Sequence, residues 1–300
     1  MNRGLEVEGL TKAFGQRLAV DHLSFSIDEP GVFGLIGTNG AGKTTTIRMI
    51  LGILTPDEGS ARWDGRPIDR ETLSFGYMPE ERGIYMKTRV LEQLVYFGML
   101  RGMSKGDARA SALGYMQRLG VEEYKDMPAE KLSKGNQQKI QLIATLVHNP
   151  RLIFLDEPFS GLDPVNAEML RGLIRELVDE GRMIVMSSHQ MATVEEYCRD
   201  LVLLHQGRCV LSGNLQAIKA GYGHTNLIVS AAAGVEPAAR DCGLTLLEDR
   251  ADEQEYKITG DAMAQDFLRR LVQAGVYPTR YEIKEPSLHE IFIEKVGAAQ

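Results

Sequence analysis

A chain of 300 residues with 43% hydrophobic and 25% charged side chains exceeds the usual single-domain span and can bury a substantial core, which excludes disordered, collagen-like and miniature disulfide-rich classes. A net charge of −7 gives no general electrostatic attraction for nucleic acid, leaving only a local basic patch open. Three cysteines, Cys198, Cys209 and Cys242, without a C-x-x-C pair, argue against a disulfide framework or a zinc site and fit a reducing cytosol.

In chain order, residues 5–10 and 23–27 read as short strands, followed by an apolar strand over 32–36 that runs straight into a glycine-rich turn. Residues 44–51 then suit a helix ending near Gly52, so the local order is strand, loop, helix. Between about 88 and 120 the pattern becomes helical, with helices over 90–100 and, opened by Ser104, over 108–119. A strand over 152–155, a helix over 165–180 and a strand over 183–187 follow, then a turn-rich stretch to Gly213. Asp163 and Pro164 supply an N-cap and an N1 proline, and Gly181 marks the helix end.

The composition shifts after Gly221-Tyr222-Gly223, which places a boundary between domains 1–220 and 221–300. In the second domain, strands are expected over 226–230, 244–247, 255–259 and 281–283, with a helix over 262–274. Ser287 and Glu290 form a capping box for a last helix. No stretch approaches the roughly 20 apolar residues of a spanning helix, and the first residues lack a signal-peptide core, so a membrane partner would have to be another chain.

Gly37-Thr38-Asn39-Gly40-Ala41-Gly42-Lys43-Thr44 matches G-x-x-x-x-G-K-[ST] between a strand and a helix, the context that motif requires. Its glycines let backbone N–H groups of Asn39, Gly40, Ala41 and Gly42 turn inward around phosphate oxygens, at the positive end of the following helix. Lys43 suits the β- and γ-phosphates, the Thr44 hydroxyl suits Mg²⁺, and Thr45 suits the α-phosphate. The plain alternative, a glycine turn joining strand to helix, needs neither the lysine nor the threonine. Downstream, four apolar residues end in Asp156-Glu157, as a buried parallel strand delivering carboxylates to the sheet edge does. Asp156 suits the Mg²⁺ shell, and Glu157 suits a general base for the attacking water; the alternative is two solvated acids at a strand end.

Leu132-Ser133-Lys134-Gly135-Asn136-Gln137-Gln138 resembles the signature of the ATP-binding cassette (ABC) ATPases. That likeness implies a P-loop α/β core with a mainly parallel sheet, an antiparallel β part and a helical subdomain over about 82–135, followed here by a small α+β domain. It implies that Ser133 and Gly135 contact the γ-phosphate held by a twin subunit, although Ser133 would cap its own helix as well. Ser160-Gly161-Leu162-Asp163 looks like the D-loop, with Asp163 near the nucleotide across the dimer, and His189 looks like the switch histidine that bonds the γ-phosphate and Glu157. Phe14 occupies the place of the adenine-stacking ring, with a core phenylalanine as the competitor.

The sequence departs from the family at Tyr77-Met78-Pro79-Glu80-Glu81-Arg82, where Glu80 replaces the glutamine that meets Mg²⁺. A carboxylate keeps the oxygen ligand but adds negative charge beside the γ-phosphate. In the signature Lys134 replaces a glycine and Asn136 a glutamine. These departures, together with Gly83-Ile84-Tyr85 and the ending Glu285 to Phe292, look like a bacterial exporter branch that includes sodium-efflux and drug-export ATPases. The resemblance therefore implies a homodimeric ATPase using ATP and Mg²⁺, cytoplasmic and peripheral on the inner face of the membrane. It would couple dimer closure to a separate permease, docked near 83–86 at Ile84 and Tyr85, with no nucleic acid expected. The alternative is a non-transport ABC ATPase acting on ribosomes or DNA.

Overall fold

The computed structural model describes residues 4–68, 73–81, 83–231, 234–250 and 252–297. The chain divides into two compact units, Met1–Ser212 and Gly213–Gln300. The split falls before the helix Leu215–Tyr222 that opens the second unit, whereas the boundary expected between 220 and 221 lies within that helix.

In the first unit the strands are β1 (Leu5–Phe14), β2 (Arg17–Ile27), β3 (Gly31–Gly37), β4 (Glu58–Trp63), β5 (Arg66–Pro67), β6 (Phe75–Met78), β7 (Leu152–Asp156), β8 (Met183–Ser188), β9 (Asp200–His205) and β10 (Arg208–Asn214), whose residues after Ser212 lie past the division. The helices are α1 (Lys43–Ile50), α2 (Val90–Leu100), α3 (Lys105–Arg118), α4 (Lys134–Leu146), α5 (Pro164–Asp179) and α6 (Met191–Tyr197). Among the described residues, β2-β1-β4-β5 form one sheet and β10-β9-β3-β8-β7-β6 a second. The pairs β3 with β8, β3 with β9, β7 with β8 and β6 with β7 are parallel, whereas β1 pairs antiparallel with β2 and β4.

Burial explains this arrangement. Each residue of β7 is buried, and so is each residue of β8, as expected of strands covered on both faces. Helix α1 lies between the sheets, its Ile47, Met49 and Ile50 packing with Leu5, Val7 and Leu10 of β1 and Phe33 and Leu35 of β3. Because β3, β7 and β8 run parallel, their C-terminal ends share one edge, and Gly37, Asp156 and Ser188 stand there.

Ser104 does open α3, its hydroxyl accepting from the Asp107 N–H at 3.1 Å. The stretch after Ser188, expected as turns, instead holds α6, β9 and β10. In β9 the run Leu201 to Leu204 is fully buried, so its continuous apolar pattern is that of an interior strand, where no alternation of polar and apolar residues would reveal it.

His148, after α4, holds one ring nitrogen 2.9 Å from the carbonyl of Phe75. Burial pushes its pKa from an ordinary 6.5 down to about 4. With the folded value depressed, the neutral ring contributes stability above pH 6.5 that is lost as pH falls toward 4, where the unfolded chain alone takes the proton. Urea melts over that window should show falling stability, with a shallower fall in His148→Gln.

The second unit contains α7 (Leu215–Tyr222), α8 (Val235–Asp241), α9 (Asp261–Gln273) and α10 (Leu288–Gly297) with β11 (Asn226–Ser230), β12 (Thr245–Asp249), β13 (Gln254–Lys257) and β14 (Arg280–Lys284). Its sheet has the order β12-β13-β11-β14, with antiparallel pairs throughout. Leu227, Tyr256, Phe267 and Leu271 belong to its own core. The capping box is reciprocal, since Ser287 N–H donates to Glu290 Oε2 at 2.8 Å while Glu290 N–H donates to Ser287 Oγ at 3.2 Å.

Candidate functional site

The turn from β3 into α1 depends on backbone shapes that side chains oppose. Gly37 has φ 155° and Gly42 φ 107°; a Cβ on Gly37 would lie 2.4 Å from the Leu204 carbonyl oxygen, and one on Gly42 would lie 2.5 Å from that of Ala19. The loop therefore wraps tightly over neighbouring strands and borders an open cleft of about 390 Å³. Asn39, Gly40, Ala41, Gly42, Lys43, Thr44 and Thr45 line the cleft from the loop and α1. Phe14, Glu80 and Glu157 line it from three other segments.

Lys43 is buried and donates to the Gly37 carbonyl at 2.7 Å. Its ammonium also lies 3.3 Å from Glu157 Oε1, without hydrogen-bond geometry, so that this oxygen is buried with charge contact but no hydrogen-bond donor. The other oxygen of Glu157 is 2.9 Å from His189 Nδ1. Thr44 Oγ1 donates to Asp156 Oδ2 at 2.8 Å, placing the first helical hydroxyl against the last residue of β7. Glu157 itself sits just past β7 with φ 52°, a left-handed conformation that non-glycine residues seldom adopt.

Phe14 is 52% exposed, so the core alternative does not hold; its ring lies at the cleft with Lys12 Nζ 5.9 Å from the centroid. Arg17 escaped the sequence reading. It lines the same cleft and donates through Nη2 to the Gly40 carbonyl at 3.2 Å, but a lone arginine in a strand carries no spacing signal. Ser187 was missed for the same reason: its hydroxyl donates to Asp156 Oδ1 and accepts from the Glu157 N–H at 3.0 Å. Glu80 lines the cleft, and Gln141 of α4 holds its segment by donating to the carbonyls of Pro79 at 2.7 Å and Glu81 at 3.0 Å. Arg82, the end of that loop motif, lies outside the described residues.

Ser133, Gly135 and Asp163 do not line this cleft; they gather where α4 and α5 begin. Ser133 caps α4, accepting from the Asn136 N–H at 3.3 Å, and Asp163 caps α5, accepting from the Asn166 N–H at 2.9 Å. That backbone donor holds the Asp163 carboxyl below its ordinary pKa. A Cβ on Gly135 would come within 2.9 Å of Asn166 Nδ2, so the glycine has a packing reason within its own protomer.

A family model described as ABC transporter matches residues 20–160, and one described as ATP-binding protein DrrA1-3-like, C-terminal domain, matches residues 213–296. A Bacillus subtilis protein named an uncharacterized ABC transporter ATP-binding protein is 43% identical over 295 residues, covering 98% of this chain and 99% of its own. The chain belongs to the ABC transporter ATP-binding proteins. As in that family it is a nucleotide-binding ATPase whose hydrolysis is coupled to transport. The Nod factor export ATP-binding protein I of Paraburkholderia xenovorans is 31% identical over 98% of this chain and 97% of its own. The linearmycin resistance ATP-binding protein of Bacillus subtilis is 28% identical, covering 98% of both. Among solved structures, an ATP-binding subunit of an ABC transporter matches with a TM-score of 0.68 and 31% identity, over 73% of this chain and 93% of that one. The ABC resemblance expected from the signature thus holds for the core, and the extra C-terminal domain has a family of its own. Among the described residues no helix is long and apolar enough to cross a membrane.

Proposed function

We propose that the chain is the ATPase subunit of an exporter, working as a homodimer on the inner face of the membrane and driving a separate permease. The observation that supports the chemistry is the meeting of Lys43, Thr44, Asp156, Glu157 and His189 at one edge of the parallel sheet. When ATP enters, its phosphate oxygens replace the Gly37 carbonyl as acceptors for Lys43, while the loop amides and Thr45 hold the remaining oxygens. Phe14 offers its exposed ring to adenine, and Arg17 adds positive charge at the loop. Glu157, released from Lys43, accepts the proton of the attacking water, and His189 holds its carboxylate in place.

The oxygen donors of this cleft fit Mg²⁺. Thr44 Oγ1 and Asp156 Oδ2 are already together, the Glu157 Oε1 lacks a donor, and Glu80 lines the cleft with Thr44 and Glu157. Among the described residues no three His, Cys, Asp or Glu side chains group to hold a metal ion, so phosphate and water oxygens would have to complete the shell. Thr44, Asp156 and Glu80 would hold it, and once bound it would neutralise charge on the phosphates.

Ser133 and Gly135 stand away from the cleft of their own protomer, which supports donation to a twin, with Asp163 beside them at the same face. The exporter reading takes its support from the relatives named for Nod factor export and linearmycin resistance. For permease docking the structure alters the expected residues. Ile84 is 8% exposed and packed inward, whereas Tyr85 is 53% exposed. Tyr85 stacks on Phe97 at 5.6 Å and sits beside Tyr96, with Met99 and Leu100 also exposed. Gln93 fixes that surface, accepting from the Tyr85 N–H at 2.9 Å and donating to the Tyr85 carbonyl at 3.1 Å. Tyr85→Glu with Tyr96→Glu should lower co-purification of the chain with its permease at least about tenfold, as loss of paired aromatic anchors does. Undiminished recovery of that complex would exclude this docking face.

A further inference from the structure

We infer that Ser187 is a positioning residue for hydrolysis, its hydroxyl locking Asp156 and Glu157 into one unit. The inference rests on the proposed roles of those two carboxylates.

Ser187 is 0% exposed and stands opposite Asp156 in the register of β7 with β8. It does not line the cleft, so it acts only through its neighbours. A hydroxyl carries one proton and two lone pairs. Here the proton goes to Asp156 Oδ1, and one lone pair takes the Glu157 N–H at 3.0 Å, the same N–H that reaches the Ser187 carbonyl at 3.3 Å. Asp156 Oδ2 meanwhile takes the Thr44 hydroxyl. The Ser187 oxygen thereby ties β8 to the end of β7, and Asp156 carries the tie on to Thr44 of α1, at the point where nucleotide chemistry is proposed.

The geometry gives that tie a task. Leaving β7, the chain turns at Glu157 into a left-handed conformation with φ 52°, which persists only where the surroundings over-determine it. That turn swings the Glu157 side chain back toward Lys43 and His189. The N–H that the turn carries inward is the one Ser187 receives, so the serine holds the backbone shape that aims the base. Adjacent Ser188 has a different task, accepting from the Gln190 N–H at 3.0 Å and shaping the turn that carries His189.

The test compares full-length Ser187→Ala, Ser187→Cys and Ser187→Thr for ATP affinity without divalent cation and for steady-state hydrolysis. The inference predicts that Ala and Cys keep ATP affinity within twofold, lower kcat at least tenfold and leave KM nearly unchanged, while Thr, which keeps the hydroxyl, restores kcat to within threefold. In a Glu157→Gln background, Ser187→Ala should change the residual rate less than twofold, because groups acting as a unit are not additive. Should Ala fail to fold, Cys, which keeps the side-chain shape, and the Thr rescue decide. A kcat within twofold of the parent in Ala or Cys, or a full additive loss in the Glu157→Gln background, would overturn the role of Ser187. If Glu157→Gln itself turns over at the parental rate, the base assignment is what has failed; if it stalls while Ser187→Ala does not slow, only the present inference has.

Discussion

Glu157→Gln should stall ATP turnover at least about 100-fold while ATP binding survives, since a positioned general base contributes on the order of 10²–10⁴. The carboxylate is 7% exposed, lies 3.3 Å from the Lys43 ammonium and 2.9 Å from His189. An amide fills the same volume and can keep the contact with His189, but it cannot take a proton from water. It also removes a negative charge facing the γ-phosphate, so affinity for ATP should hold or rise. Steady-state phosphate release against nucleotide binding by the same preparation separates the two effects. A variant that hydrolyses at the parental rate would remove Glu157 from its role.

Lys43→Ala should act on the other half of that division, weakening ATP binding itself by roughly 10–100-fold, the equivalent of about 1.5–3 kcal/mol for a hydrogen bond to a charged group. The lysine is buried at the base of the loop and held by the Gly37 carbonyl, so its ammonium is already aimed into the cleft and little ordering is needed when phosphate arrives. Removing it leaves Glu157 buried without its cation, which adds repulsion toward a triphosphate. Competition of ATP against a fluorescent nucleotide, on protein shown by circular dichroism to be folded, measures the loss. An unchanged dissociation constant would contradict the phosphate assignment.

Much of this arrangement could be read in the residues because several constraints fall on short stretches. The loop from Gly37 to Thr44 must turn where Cβ atoms would collide with Leu204 and Ala19, so glycines and lysine appear at fixed spacing. Helix ends were legible through caps, as at Ser104, Ser133, Asp163 and Ser287. Some elements defined by long-range pairing were not, although β3, β7 and β8 were. The strand β9 hid in a plain apolar run, and β4, with its half-buried residues against β1, carries no alternation strong enough to announce itself. In the site, Ser187 and Arg17 matter through partners far away in sequence, and Glu80 differs from the family residue by chemistry that only a three-dimensional cleft can evaluate. The inward packing of Ile84 beside an exposed Tyr85 shows the same limit, since a hydrophobic stretch does not say which of its members faces out.

Ser133 and Gly135 are proposed to complete a nucleotide site on another copy of the chain. Light scattering of Glu157→Gln with and without ATP tests this most directly. The predicted result is a shift to twice the 33.3 kDa monomer mass when ATP is added, lost in Glu157→Gln combined with Ser133→Arg although ATP still binds. A nucleotide-loaded Glu157→Gln chain that stays at monomer mass, with its permease present as well, would contradict it.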